Sequence, residues 1–344
     1  MDYEQLILNI GIQPLQLYLG LAMGLAFGIG ASMSNFCLRG FVLDLSTFKF
    51  TSTSYTWLLG LAIAITFTQL LLQGDASDIS EAPVIAVQAS LSGSIVGGLM
   101  FGFGMILSRG CVSRQIILIT TGNLRSLVTF GTFAVFAQLT YGGQLVSFRQ
   151  SVQELWRLNP SYNQVHDFVP FSPTLFLFIS ASIALVCLVM LIKRQAWSHL
   201  MGGTIVGLAI ALGWYVTSFV AYHTFNDILP QSITFSAPTA QSLIALMSVD
   251  APFIRLAAGL VAGCFLGALI VSLIRQDFNL QSFTQKLPIR RYLLAGMLMG
   301  VGSVLASGCS VGAGLSGTAV MATGSIVTLI FIIIGGLIST RYSA

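Results

Sequence analysis

The chain has 344 residues and a net charge of +4, with 55% hydrophobic and only 8% charged residues and a mean hydropathy of +0.88. Soluble domains carry about 25% charged residues, so a water-facing surface of normal extent is excluded, and with it a soluble enzyme. The modest positive charge gives no reason to expect a nucleic-acid partner.

A membrane-spanning helix needs about 20 apolar residues. Nine candidate spans follow in chain order, near 15–33, 55–73, 86–107, 125–146, 172–192, 200–221, 252–274, 291–307 and 324–340. Before the first, Met1 to Asn9 lacks a basic stretch and carries Asp2 and Glu4, so no cleaved leader is expected there. The longest polar connection, Ser147 to Phe171, holds Asn159-Pro160 and Val169-Pro170 and reads as a surface loop.

Basic residues set the orientation. With the N-terminus outside, nine spans place Arg39, Lys49, Arg109, Arg114, Arg125, Lys193, Arg194, Arg275, Lys286, Arg290, Arg291 and Arg341 inside. Only Arg149, Arg157 and Arg255 remain outside. A bacterial inner-membrane protein with a periplasmic N-terminus and a cytoplasmic C-terminus is therefore expected.

Glycines recur at four-residue spacing: Gly20, Gly24, Gly28; Gly98, Gly102; Gly203, Gly207; Gly259, Gly263, Gly267; Gly296, Gly300. This spacing lets membrane helices approach backbone to backbone. A longer pattern is superimposed on it. Four segments combine a glycine-rich helix end, a loop of small polar residues and an apolar stretch too short to span. They run from Gly24 to Gly40, from Gly98 to Arg114, from Gly207 to Gln241 and from Gly296 to Gly317. In the nine-span threading the first two enter from inside and the last two from outside. Such inverted repeats with broken helices typify transporters, whose solute site lies near the bilayer midplane. The expected fold is an all-α polytopic membrane protein with about nine transmembrane helices and four short re-entrant helices. Its two inverted pseudo-symmetric halves would be 15–146 and 200–340, joined by loop 147–171 and helix 172–192.

Three of the four segments carry a cysteine at an equivalent place: Cys37, Cys111 and Cys309. A thiol at the start of a half-helix meets free backbone N–H groups and the positive end of the helix dipole, which favour anions. A lone buried cysteine is as readily a small apolar packing residue, and Cys187 and Cys264 are read that way. Three at repeat-equivalent positions point to a shared chemical task. There is no Cys-x-x-Cys, and His166, His199 and His223 are expected in loops at span ends without a ligand pattern. No metal and no cofactor are expected. Arg39, Arg109 and Arg114 flank two of the cysteines and attract anions or anchor the inner face. No Asp or Glu falls mid-span, which disfavours a proton relay. Ser34, Ser108, Ser113, Ser307 and Ser310 add hydroxyls beside the thiols.

The segments Ser34-Asn35-Phe36-Cys37-Leu38-Arg39-Gly40, Ser108-Arg109-Gly110-Cys111 and Ser307-Gly308-Cys309-Ser310-Val311-Gly312-Ala313-Gly314-Leu315-Ser316-Gly317 resemble the YeeE/YedE family of bacterial sulfur-transport membrane proteins. The resemblance covers almost the whole chain. It implies an hourglass-like protein that takes thiosulfate into the cytoplasm, the three cysteines relaying the ion by S–H to sulfur hydrogen bonds. Cys111 in the central loop is then the foremost candidate. Ser34, Arg39, Ser108, Arg109, Gly110, Ser307, Gly308, Ser310, Gly312 and Gly314 would be the supporting loop residues. It also implies a small TusA-like sulfurtransferase as cytoplasmic partner. The chain departs from many relatives in the last loop, where Ser310 and Ala313 stand at positions usually held by Thr and His. Two alternatives remain at this stage besides thiosulfate uptake. One is transport of another sulfur- or selenium-containing anion. The other is a membrane thiol or sulfur-transfer enzyme with Cys111 as nucleophile. In a further reading, a membrane assembly protein, the cysteines only pack.

Overall fold

The computed structural model describes residues 12–74, 79–158, 163–165, 173–224, 229–247, 255–283 and 288–342. Ahead of Ile12, the proposed leader-free start lies outside these residues, as do His166, Lys286, the first residues of the span near 252–274 and most of the loop after Leu158.

Helices follow one another as the hydropathy demands. They are α1 (Ile12–Met33), α2 (Leu38–Thr47), α3 (Ser52–Gln73), α4 (Leu91–Leu107), α5 (Val112–Thr120), α6 (Leu124–Gly142), α7 (Val146–Glu154), α8 (Pro173–Lys193), α9 (Trp197–His223), α10 (Ser236–Met247), α11 (Arg255–Arg275), α12 (Ile289–Leu305) and α13 (Thr323–Tyr342). A wide helical turn, Gly312–Gly317, precedes α13. This is an all-α polytopic membrane protein. Among the described residues seven segments are long and apolar enough to cross a bilayer. Two of them each unite a long helix with the short one after its break: Pro14–Thr47 and Leu91–Thr120. At 17 residues each, α4 and α12 reach only about 26 Å, short of the hydrocarbon thickness of about 30 Å. Their chains must turn at depth.

Three expectations change. The surface loop read from Ser147 opens instead with α7, whose Gln153 donates from Nε2 to the Leu305 carbonyl at 3.0 Å. The fourth span ends at Gly142 rather than 146, because Gly143 leaves the helix and α7 starts a new direction. His199 and His223 lie within the first and last turns of α9 rather than in loops.

Packing follows the glycines. Along α1, an added β-carbon at Gly20, Gly24 or Gly28 would overlap the carbonyls of Leu256, Leu260 or Cys264 on α11. In return, Gly259, Gly263 and Gly267 admit the carbonyls of Leu17, Leu21 and Leu25. A second seam joins α4 to α13, where Gly102 faces the Ile332 carbonyl and Gly335 faces that of Leu99. Further principal contacts join α3 to α9 and α6 to α12. The glycine spacing is thus used up within the chain, where it lets helix backbones touch and gain dispersion contacts that lipid does not supply. By contrast α8 packs mainly on α3 and leaves Phe178, Leu185 and Val186 exposed, as a lipid-facing helix does.

Candidate functional site

Three long helices end in the same way. The residue two before each cysteine is left-handed: Asn35 (φ 52°), Arg109 (φ 64°) and Ser307 (φ 55°). Around each, two backbone bonds close the helix. They are Phe36 N–H to Ala31 O (3.0 Å) with Asn35 to Ser32 (3.5 Å), Gly110 to Met105 (3.1 Å) with Arg109 to Ile106 (3.2 Å), and Gly308 to Ser303 (2.9 Å) with Ser307 to Val304 (3.2 Å). This is the Schellman closure, normally built on glycine. A non-glycine residue there costs roughly 1–2 kcal/mol, and the chain bears that cost three times.

After each closure the cysteine starts a new helical segment. Cys37 is extended (φ −162°, ψ 125°) and caps α2, and Cys111 (φ −77°, ψ 176°) caps α5. Cys309 opens the wide turn, its carbonyl accepting from both Ala313 N–H (2.9 Å) and Gly314 N–H (3.2 Å). The Cys309 sulfur itself accepts the Gly312 N–H at 3.4 Å. Bonds of the i→i+5 type continue through Ser316 N–H to Val311 O at 2.9 Å; such wide turns recur at functional sites. Gly312 and Gly317 leave no room for a side chain, because a β-carbon on Gly312 would overlap the Thr234 hydroxyl and one on Gly317 that of Ser325.

The three thiols are buried, with 8%, 2% and 1% of Cys37, Cys111 and Cys309 exposed, and all belong to one contiguous core. The thiols of Cys37 and Cys111 lie near enough to act on one another electrostatically. Two hydroxyls reach Cys111 as well: Ser113 at 3.3 Å and Ser310 from the last loop. Loops 34–37, 108–111 and 307–310 therefore meet at Cys111. All five cysteines are free; Cys187 on α8 is buried in a separate apolar cluster, whereas Cys264 on α11 is buried in the same core as the three loop thiols.

The remaining expected residues divide by what they touch. Ser34 donates to its own helix at Gly30 O (2.7 Å), and Ser108 to Gly104 O (2.9 Å) and Gly110 O (2.8 Å). Their O–H groups serve the helix ends, not the thiols. Gly110 is buried beneath Gln115, whose amide donates to the carbonyls of Ser108 (3.2 Å) and Gly110 (3.1 Å). Ser307 is exposed, whereas Gly308 and Gly314 are buried within the turn. Arg39 is half-buried two residues after Cys37, and Arg109 is exposed two residues before Cys111. Arg114 joins the first two loops through Nη2 to Asn35 Oδ1 at 3.0 Å.

Sequence reasoning passed over the residues that secure the open helix ends. Arg275 of α11 donates to the carbonyls of Ser32 (3.3 Å) and Met33 (2.8 Å), and Arg291 of α12 donates from Nε to that of Leu107 (3.0 Å). It also passed over Trp214, whose indole N–H donates to Ser316 O at 3.1 Å. Both arginines stood only as inner-face charges; their i-to-far-j partners leave no local signal.

A family model described as sulphur transport matches residues 33–338 of the chain. The thiosulfate transporter TsuA of Escherichia coli (strain K12) is 22% identical, over 92% of this chain and 91% of its own length. The thiosulfate transporter TsuA of Spirochaeta thermophila is 24% identical, over 93% of this chain and 96% of its own.

Proposed function

The chain belongs to the sulphur transport family, a family of transport proteins rather than enzymes, and from that premise we propose that it carries thiosulfate across the bacterial inner membrane into the cytoplasm, past Cys37, Cys111 and Cys309. The observation that carries this reading is the meeting of loops at Cys111, where the Cys37 thiol of the first loop and the Ser310 hydroxyl of the last join Ser113 of its own segment.

Thiosulfate suits such a site by its chemistry. Its terminal sulfur is soft and takes a weak S–H donor readily, while its oxygens take N–H and O–H. Bringing a bare ion into a low-dielectric interior costs on the order of 20 kcal/mol by the idealised Born estimate, and one helix N-terminus returns about 0.3–2 kcal/mol. Several half-helix starts must therefore converge, as the starts of α2 and α5 do through their capping cysteines. Each contact is weak, which favours release as well as entry. Passage needs the loops to part, since the thiols are shut in by their own turns.

Two inverted halves are the natural frame. Helix α1 pairs with α11, α3 with α9, α4 with α13 and α6 with α12. This reciprocal pairing supports halves 15–146 and 200–340. The sidedness of the basic residues supports a periplasmic N-terminus and a cytoplasmic C-terminus. A TusA-like sulfurtransferase would then receive the sulfur at the cytoplasmic face. The other readings carried from the sequence, a different sulfur or selenium anion or a thiol enzyme with Cys111 as nucleophile, have no observation that favours them over this one.

Uptake of sulfur-35 thiosulfate into proteoliposomes tests the reading, wild type beside Cys111→Ala, with sulfate as competitor. Uptake that Cys111→Ala abolishes and sulfate leaves intact is expected. Equal uptake by both proteins would sink the thiol path.

A further inference from the structure

We infer that the hydrogen bond from Arg114 to Asn35 is a latch between the first two cysteine loops, which an oxyanion opens by taking the Arg114 guanidinium away from the Asn35 amide. The inference deepens the transport reading and rests on it for the identity of the ion, but the latch stands on its own geometry.

Each loop is fixed firmly on its own side. The first is held by its backbone closure, by Ser34 on the Gly30 carbonyl, and by Arg275 on the carbonyls of Ser32 and Met33. The second is held by its own closure, by Gln115 on the carbonyls of Ser108 and Gly110, and by Arg291 on that of Leu107. These bonds all end on backbone carbonyls, and their partners lie within the same segment or on a packed helix. A bond of another kind crosses between the loops. Arg114 Nη2 donates to Asn35 Oδ1 at 3.0 Å, side chain to side chain at an exposed place. It breaks by rotation of two side chains, with both helix closures intact.

Its position puts that break beside the thiols. Asn35 is the left-handed residue two before Cys37. Arg114 stands three residues after Cys111, in the first turn of α5. Side chains on a helix lean towards its N-terminus, and the Arg114 stem does lie back over the loop: a β-carbon on Gly110 would come within 2.9 Å of Arg114 Cγ. Among the described residues the ion pair present is Arg157 with Glu154, so no carboxylate of this set holds Arg114. Asn35 is a neutral acceptor that takes one N–H. An oxyanion brings a full charge and takes two N–H groups from the same planar fork. The guanidinium therefore passes to an ion arriving at Cys111, and returns to Asn35 when the ion has left. Opening is thereby tied to occupancy. The last loop carries Ser307 and Gly312 at the equivalent places and cannot form such a latch.

The test uses the purified full-length protein with Asn35→Gly and Asn35→Asp. Glycine takes the left-handed backbone without strain, and aspartate tolerates it as asparagine does, so both variants keep the closure. The first removes the latch, and the second turns it into an ion pair. Two readouts are taken. One is alkylation of Cys37 and Cys111 by N-ethylmaleimide in detergent, followed by peptide mass spectrometry, with sodium sulfate or sodium chloride at equal ionic strength. Sulfate suits the same fork and leaves the reagent intact. The other is the maximal rate of sulfur-35 thiosulfate uptake into proteoliposomes. Alkylation without sulfate should be severalfold faster in Asn35→Gly than in wild type and slowest in Asn35→Asp, and sulfate should speed it in wild type but not in Asn35→Gly. Because an ion pair outlasts a bond to a neutral amide, Asn35→Asp should lower the maximal uptake rate about tenfold, while Asn35→Gly should be no slower than wild type. On an Arg114→Gln background, Asn35→Asp should change neither readout further. Equal alkylation in all three proteins, a parallel fall in both variants, or a further fall on the Arg114→Gln background overturns the latch. The expected order of alkylation without any wild-type uptake would refute the transport reading and leave the latch. Cys111-dependent uptake with alkylation equal in all three would do the reverse.

Discussion

The four interruptions of the helical bundle are of two kinds. Those after α1, α4 and α12 share a left-handed closure and a cysteine two residues on. The one between α9 and α10 has no cysteine. The residue just before α10 is Phe235, fully buried, its ring 5.2 Å from that of Phe27. Its hydroxyls are turned to scaffolding. Ser232 donates to Ile210 O (2.7 Å), and the Thr217 hydroxyl both donates to the Gln231 carbonyl (2.6 Å) and accepts its N–H (3.1 Å). The third segment holds the fourth in place, since Trp214 binds Ser316 O and Ser316 in turn donates to Ile233 O at 2.6 Å. Equivalent positions in a repeat thus serve two ends: three present thiols, and one fixes the loop that brings the last of them in.

That division is open to attack at several strengths. Trp214→Ala should have the largest effect, because it opens a cavity under a ring only 3% exposed and leaves the Ser316 carbonyl unpaired. A loss of about 3–5 kcal/mol is expected for such a truncation, read as a fall in melting temperature in detergent. A melting temperature unchanged from wild type would deny the third segment its scaffolding role. Gly312→Ala comes next, since its β-carbon would strike Thr234 of the third segment. Overpacking of this kind costs about 1–3 kcal/mol. The double variant Gly312→Ala with Thr234→Ala should recover most of the loss, and failure to recover would mean that the two segments are not coupled through this contact.

The thiols predict the opposite signature. Cys111→Ala should lower thiosulfate uptake tenfold or more, equivalent to about 1.4 kcal/mol, with the melting temperature close to wild type. A large thermal loss with proportionate uptake would make Cys111 a packing residue. The smallest effect is expected at Ser307→Gly, which removes the left-handed strain at an exposed position. A gain of up to about 1 kcal/mol should raise the melting temperature slightly, and a decrease would show that the Ser307 side chain supports the turn.

Much of this molecule was open to sequence reading because the bilayer allows few solutions. The all-α membrane architecture is as expected, with seven of the described segments long and apolar enough to cross a bilayer, and Cys187 and Cys264 are buried as expected of packing residues. The family resemblance carried by the three cysteine motifs agrees with the family match over residues 33–338. What the reading missed is equally physical. Ser34 and Ser108 looked like donors for an ion, but a hydroxyl at the last turn of a helix finds an orphan carbonyl four residues back before anything else. The α7 helix was hidden in a stretch too polar and too short to show a span.

By itself the sequence determined the solvent this chain folds in, the helix lengths, the glycine faces that must be buried and the three equivalent thiols, because hydropathy and spacing act locally along the chain. Only the tertiary structure decided that Arg114 ties the second cysteine loop to Asn35 of the first while Cys309 leans on its own turn, and that Arg275 and Arg291 close helices far from them in sequence. Those relations depend on how α1 seats on α11 and α4 on α12 and α13. No local pattern encodes the angle and register at which two helix backbones come to rest.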